Sequence, residues 1–192
     1  DRPLRAREVL LADGTSALTT DGAPSDSVAL ALLGVVKEKI DLVVSGINPH
    51  ENIGHDVTYS GTVSATFEGV LLDIPSIAFS QEVSEGYSFA RSATLAGRFV
   101  ASLLGEANLP SDLLFNVNFP AVPARGLAFT RLGKRVYRQS VVEKVDPRGH
   151  AYYWIAGTPD WQEDEGTDHE AIQQGLVSVT PLHLDLTDYR GL

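Results

Sequence analysis

The sequence predicts an α/β protein, with three layers around a mostly parallel, Rossmann-like sheet and a β-hairpin extension toward the C-terminus. Three observations predict it. The segment "IDLVVSG" is a continuous β-branched run without alternation, which suits a strand covered on both faces, and "IPSIAFS" and "DLLFNVNFP" read as further short buried strands. Stretches with apolar residues at helical spacing separate them, and strand–helix–strand order implies a parallel sheet with helical crossovers. Beyond Pro123 the texture becomes rich in Val, Tyr and Phe, with turn signals at Asp146-Pro147 and Arg148-Gly149 and no helical period.

The elements follow in chain order. "REVLLADGTSALTTDGAPSD" opens with a strand-like stretch and ends in turn chemistry at Asp21-Gly22 and Pro24. Ser25 or Asp26 is placed to cap a helix over "SVALALLGVVKEK", whose lysines fall near the end where the dipole favours cations. The buried strand "IDLVVSG" then stops at Gly46, an Asn, Pro and Gly-rich loop intervenes, and a helix spans 61–72. A strand over 74–80, the long amphipathic helix "SFARSATLAGRFVASLLGE" and a strand over 112–120 complete the core. "LAFTRLGKRVYRQSVVEKVDPRGHAYYWIAG" reads as one or two antiparallel hairpins. The loop from Asp160 to Glu170 holds six carboxylates without EF-hand order and reads as solvated. A short helix "HEAIQQG" and a strand "LVSVTPLHLDL" close the chain, with His183 partly buried on that strand. Residues 1–123 form the α/β core, and residues 124–192 form the hairpin-rich extension packed on it.

Composition excludes several classes. With 192 residues, 43% apolar and 21% charged, the chain is an ordinary globular domain, and no window holds the ~18 uninterrupted apolar residues of a membrane span. Cysteine is absent, which rules out disulfides and thiolate metal sites and fits a reducing cytoplasm. A net charge of −10 disfavours a nucleic-acid polymer as partner. Arg125, Arg131, Lys134, Arg135, Arg138, Lys144 and Arg148 gather in one stretch, which reads as a solvated hairpin face. Methionine is absent too, so Asp1 is not expected to be a translated start.

Open α/β sheets bind ligands past the carboxyl ends of their strands, where Ser45, Gly46 and Asn48 fall. An Asn carbonyl is a hard oxygen donor suited to magnesium or manganese, and equally a turn residue before Pro49; spacing leaves the two even. "Tyr59-Ser60-Gly61-Thr62" opens a helix, where free N–H groups, the dipole and two hydroxyls suit phosphate; plain capping by Ser60 or Thr62 is the commoner use. His50, Glu51, Asn52, His55 and Asp56 match no zinc spacing. No Gly-x-Ser-x-Gly, Walker or Gly-x-Gly-x-x-Gly pattern occurs.

"VVSGINPHENIGHDVTYSGTVSATFEG" closely resembles the signature of the SurE survival-protein family, metal-dependent 5′/3′-nucleotidases. "DGAPSDSVALAL", "IPSIAFS", "LLFNVNFP" and "GTDHEAIQQGLVSVTPLHLDLT" resemble further segments of that family in the same order. The resemblance implies a phosphomonoesterase that hydrolyses nucleoside monophosphates with one divalent cation, Mg2+ or Mn2+. It implies a metal-ligand role for Asn48, catalytic roles for Asn48, Ser60 and Thr62, and a phosphate pocket of Ser60, Gly61 and Thr62. Asn52 and Gly54 carry over as pocket-wall residues; apart from the resemblance, Asp56 or His55 is a candidate for assisting proton transfer, with a plain surface loop the favoured reading. Exchange of C-terminal hairpins between subunits is implied as well, hence a homodimer or homotetramer. Family members begin with a strand ending in Asn-Asp-Asp-Gly, whose aspartates bind the metal, and on that resemblance residues 1–192 supply one of the ion's protein ligands. Two rivals stand beside this reading: a non-catalytic phosphate-binding fragment, and a metal-free serine hydrolase built on Ser45 or Ser60.

Overall fold

The computed structural model describes residues 3–85, 88–137, 140–156, 159–162 and 164–192. Near the N-terminus, β1 (Ala6–Leu10) and β2 (Ser16–Thr20) pair antiparallel across the Asp13-Gly14 turn. The Asp13 side chain accepts the Thr15 N–H at 2.9 Å, and Gly14 takes the positive φ of 85° that the turn needs.

Helix α1 (Pro24–Leu30) differs from its predicted extent at both ends. Its N-cap is Ala23, and Asp26 sits inside the first turn with its carboxylate reaching back to the Ala23 N–H at 2.8 Å. Residues Ala31–Val35 continue as a π turn, within which Gly34 leaves helical geometry, so Lys37 and Lys39 lie beyond the helix. The apolar period runs through Gly34 in the sequence, but glycine is a weak helix former and the backbone turns to an extended φ there.

The main sheet has the order β3-β4-β5-β11-β6. Strands β3 (Val43–Pro49), β4 (Ser76–Gln81) and β5 (Leu114–Phe119) are mutually parallel. Helices α2 (Gly61–Val70) and α3 (Phe89–Leu104) are the crossovers, one on each face. The remaining two strands come from beyond residue 123. β6 (Leu127–Phe129) lies parallel to β11 (Val177–Pro181), and β11 runs antiparallel to β5. The three layers and the mostly parallel sheet are as the sequence predicts.

The two faces of the sheet differ in chemistry. Toward α3, Ile77, Phe79, Val117, Phe119 and Val179 are buried; the Phe79 and Phe119 rings stack at 5.8 Å and Phe99 meets Phe79 edge-on at 6.3 Å. Burying each such ring contributes about 1.5–3 kcal/mol. Toward α2 the same strands place Ser76, Ser80, Asn116, Asn118, Ser178 and Thr180, all essentially buried. These side chains must find hydrogen bonds: Ser80, Asn116 and Asn118 find them in the loop after β3, Ser178 and Thr180 at the Thr130 hydroxyl, and Ser76 at the Ile74 carbonyl.

Strands β7 (Arg135–Tyr137) and β10 (Pro159–Trp161) pair antiparallel, and β8 (Ser140–Val145) forms a hairpin with β9 (Ala151–Ala156). Asp146 closes that hairpin, accepting the N–H groups of Arg148 and His150 at 2.8 and 2.9 Å. The hairpin reading therefore holds, while Arg138 lies outside the described residues. Thr167 caps α4 (Asp168–Gln173), its hydroxyl accepting the Glu170 N–H. The last strand ends at Pro181, and His183 is exposed rather than half-buried in a strand.

Candidate functional site

Asn48 stands at the carboxyl end of β3, where a bulge sets its direction. Ser45 pairs with Ala78 and Asn48 with Ser80, so three steps along β3 match two along β4. The extra residue restores Asn48 to the register of Ser80, on the polar, α2-facing side of the sheet. Asn48 Nδ2 donates to the carbonyls of Pro49 at 2.9 Å and His50 at 2.8 Å. With both amide protons bound to the backbone, the side-chain carbonyl Oδ1 is the end left for a ligand.

The loop after β3 is pinned from below. Asn118 Oδ1 accepts the Asn52 N–H at 2.8 Å, and the Asn52 carbonyl accepts Nδ2 of Asn116 and of Asn118 at 2.8 and 3.1 Å. Asn52 Nδ2 donates to Ser80 Oγ at 2.7 Å. Asn52 thus pins the loop after β3 to the sheet, and Asn116 Oδ1 stays buried with no hydrogen-bond partner among the described residues. Gly54 follows at a φ of 54°, buried, and begins a 3-10 helix over Gly54–Tyr59 that runs directly into Ser60.

Ser60 is the N-cap of α2: its Oγ accepts the Val63 N–H at 3.1 Å, and its carbonyl accepts the Ser64 N–H. The capping role weighed from the sequence is therefore real. It leaves the N–H groups of Gly61 and Thr62 as donors at the open end of the helix, where the dipole favours an anion. Thr62 is half-buried and Gly61 exposed, so these donors are reachable from solvent.

His50 and His55 are exposed. Asp56 is ion-paired with Arg135, both side chains about a fifth exposed, so its carboxylate is already engaged. Among the described residues no imidazole is hydrogen-bonded to Ser45 or Ser60, as a metal-free serine hydrolase would need. The basic stretch is also committed in part, since Arg131 bonds Asp164 at 2.6 Å.

Sequence reasoning missed the second anchor of the loop. Asp168, in a stretch that reads as solvated acid, is fully buried. Its Oδ2 accepts the Gly54 N–H at 2.7 Å, and its Oδ1 accepts those of Gly133 at 2.7 Å and His169 at 2.9 Å. Burial raises the Asp168 carboxyl above its ordinary range, partly opposed by these three N–H groups. Next to it, the His169 ring stacks on Trp161 at 4.2 Å, and Arg135 lies over Trp161 at 5.4 Å. Burial lowers the His169 pKa, against the pull of Asp168. Asn116 and Asn118 were also missed, although two Asn at period two inside "LLFNVNFP" signal a polar face on a buried strand.

Asn48 fits a divalent cation as one neutral oxygen ligand, because its amide protons are bound and its carbonyl is not. Among the described residues no three His, Asp or Glu groups cluster to hold a metal. No helix among them is long and apolar enough to cross a membrane.

A mostly parallel α/β sheet, with an oriented carbonyl donor and an open helix N-terminus at one carboxyl edge, makes this an α/β protein with a candidate anion site. The chain belongs to the family of the Survival protein SurE, whose model matches residues 1–139. It is 50% identical to the 5′-nucleotidase SurE of Herpetosiphon aurantiacus, over 97% of this chain and 75% of that protein. It is 49% identical to 5′-nucleotidase SurE 1 of Thermus thermophilus, over 97% of this chain and 74% of that one. The crystal structure of the SurE protein from Aquifex aeolicus matches with a TM-score of 0.82 and 42% identity, covering 100% of this chain and 77% of its own. The chain spans about three quarters of the length of these relatives.

Proposed function

We propose that this protein is a nucleotidase that releases phosphate from nucleoside 5′- and 3′-monophosphates, using one divalent cation, Mg2+ or Mn2+. The observation that carries the reading is the pairing, at one edge of the sheet, of Asn48 Oδ1 with the open N-terminus of α2. Relatives at 50% and 49% identity are named 5′-nucleotidases, which supports the substrate class.

The chain's own groups divide the work. The N–H groups of Gly61 and Thr62 and the Thr62 hydroxyl take up phosphoryl oxygens as their charge grows in the transition state. Ser60 holds the first turn of α2 in place through its cap, and Asn52 fixes the pocket wall. Asn48 offers its carbonyl to the cation, which when bound polarises a phosphoryl oxygen and lowers the pKa of a water. Phosphomonoester hydrolysis is among the slowest uncatalysed reactions, so such electrostatic terms carry most of the barrier reduction.

Phosphate release from AMP with manganese, measured with and without EDTA, tests the reading. Release is expected with the ion and lost with the chelator. Release that survives EDTA rejects the cation, and none with manganese supports the phosphate-binding alternative.

We assign the assembly to the β8–β9 hairpin and place the protein in the cytoplasm as a homodimer or homotetramer. Val141, Val145 and Tyr153 on one face of the hairpin and Tyr152 and Trp154 on the other are all exposed. A ribbon apolar on both faces needs a covering surface. The double substitution Tyr153→Ser, Trp154→Ser is expected to give monomers in light scattering after gel filtration; an unchanged mass rejects the hairpin as the interface.

A further inference from the structure

We propose that Asp168 is a positioning residue for the phosphate-binding turn, its buried carboxylate holding the loop that presents Ser60, Gly61 and Thr62. The inference rests on the nucleotidase reading of that turn and adds a residue 106 positions away from Thr62 in the chain (168 less 62).

Three backbone segments converge on one carboxylate. Gly54, Gly133 and His169 each give an N–H, from positions 114, 35 and 1 residues away. The approach is close enough to demand glycine twice. A Cβ on Gly54 would lie 2.6 Å from the Gly133 carbonyl, and one on Gly133 would lie 2.9 Å from Asp168 Oδ1. The segments carrying Gly133 and Asp168 are themselves joined, since Asp168 N–H bonds the Arg131 carbonyl and Arg131 N–H bonds that of Gly166, at 2.9 and 3.0 Å. The anchor is therefore rigid on the Asp168 side.

On the other side, Gly54 is the first residue of the 3-10 helix whose end is Tyr59, and Ser60 is the next residue. A 3-10 helix of this length is a stiff rod of about 12 Å, at ~2 Å per residue. Fixing Gly54 N–H fixes the near end of that rod, and the far end is the N-cap of α2. Arg135 on Asp56 ties the middle of the rod to the same neighbourhood, through the Trp161–His169 stack beside Asp168. A carboxylate is needed because two oxygens with several lone pairs must accept three N–H groups; an amide of the same shape would point an NH2 at one of them.

The test is Asp168→Asn in the intact protein, beside Thr167→Val as a variant that removes the α4 cap without touching the carboxylate. Two readouts are taken: amide exchange by peptide, and kcat and KM for AMP with manganese. The expected result for Asp168→Asn is exchange faster by about tenfold over residues 52–60, with α3 unchanged. KM rises and kcat falls together by about 10- to 100-fold in kcat/KM, the scale of a small misplacement of binding groups. Thr167→Val lowers the melting temperature but leaves loop exchange and KM alone. Unchanged exchange over 52–60, or a fall in kcat at unchanged KM, which partial unfolding alone produces, overturns the proposal. Asn48→Ala run in the same assay separates the two ideas. If it leaves turnover intact the nucleotidase site is wrong, and if it abolishes turnover only the role of Asp168 is at stake. Should Asp168→Asn fail to fold, the wild type decides: Gly54 N–H protected like the β4 core supports the anchor, and Gly54 exchanging like exposed Tyr59 rejects it.

Discussion

Asn48→Ala is expected to lower phosphate release from AMP by about a hundredfold to a thousandfold while leaving the fold intact. The scale is that of removing one preorganised group from a transition-state site. Alanine deletes the Oδ1 carbonyl and with it the only ligand that the sequence resemblance assigns to the cation in this chain. The cost to stability is small by comparison. Two hydrogen bonds from Nδ2 to the carbonyls of Pro49 and His50 are lost, and both carbonyls lie on exposed residues where water replaces the donor. About 1 kcal/mol is the expected loss, a shift of roughly 2–4 °C in melting temperature for a chain of this size. Asn48→Asp makes the informative partner. It keeps an oxygen at the same place and adds charge, but it removes the two donations that orient the group, so partial activity with an altered metal preference is expected. Turnover of Asn48→Ala equal to wild type would remove Asn48 from the cation's shell.

Much of this architecture is legible in the chain because the informative patterns are local. β3, β4 and β5 are short runs rich in apolar residues and bounded by turn residues, and α2 and α3 carry their own period and their own caps, Ser60 and Ser88. What the sequence hides depends on distant partners. β6 has three residues and no pattern, and it joins the sheet only because β11 is there to pair with it. Nothing local makes β11 antiparallel to its neighbour. Asp168 is the sharpest case. Counted among six acids it reads as solvated, yet the amides that hold it belong to Gly54 and Gly133. A sequence pattern shows a carboxylate's charge and its neighbours along the chain, but burial is decided by segments that fold back from elsewhere. The over-long first helix has the opposite cause, a strong local period read through Gly34, where the backbone departs. The site motif itself was found as a family signature. Its spacing alone leaves Asn48 balanced between ligand and turn; in the structure Nδ2 serves the turn through the Pro49 and His50 carbonyls, which leaves Oδ1 as the end open to a ligand.

Gly46→Ala is expected to be the most damaging methyl group added at any described glycine, costing about 2–6 kcal/mol and abolishing activity as well. Gly46 lies at a φ of 110°, where a side chain is strained by about 1–3 kcal/mol. Its Cβ would also stand 2.1 Å from the Phe79 carbonyl oxygen and 3.1 Å from the Asn48 N. Neither neighbour is a flexible side-chain tip. Both are backbone, so relief comes only by parting β3 from β4, and overpacking of this kind adds about 1–3 kcal/mol more. The sum is a large part of the ~5–15 kcal/mol by which a domain is stable. The consequence for function follows from place. Gly46 sits within the bulge that returns Asn48 to the register of Ser80, so forcing the strands apart there misdirects Asn48 even in molecules that remain folded. Gly14→Ala isolates the strain from the collision, because Gly14 also has a positive φ, 85°, but a Cβ there meets nothing within 4 Å. Urea unfolding of the two variants should give a loss of about 1 kcal/mol for Gly14→Ala and several times that for Gly46→Ala. Equal losses would mean that the contact with Phe79 is relieved at no cost, and that the bulge is not what fixes Asn48 in place.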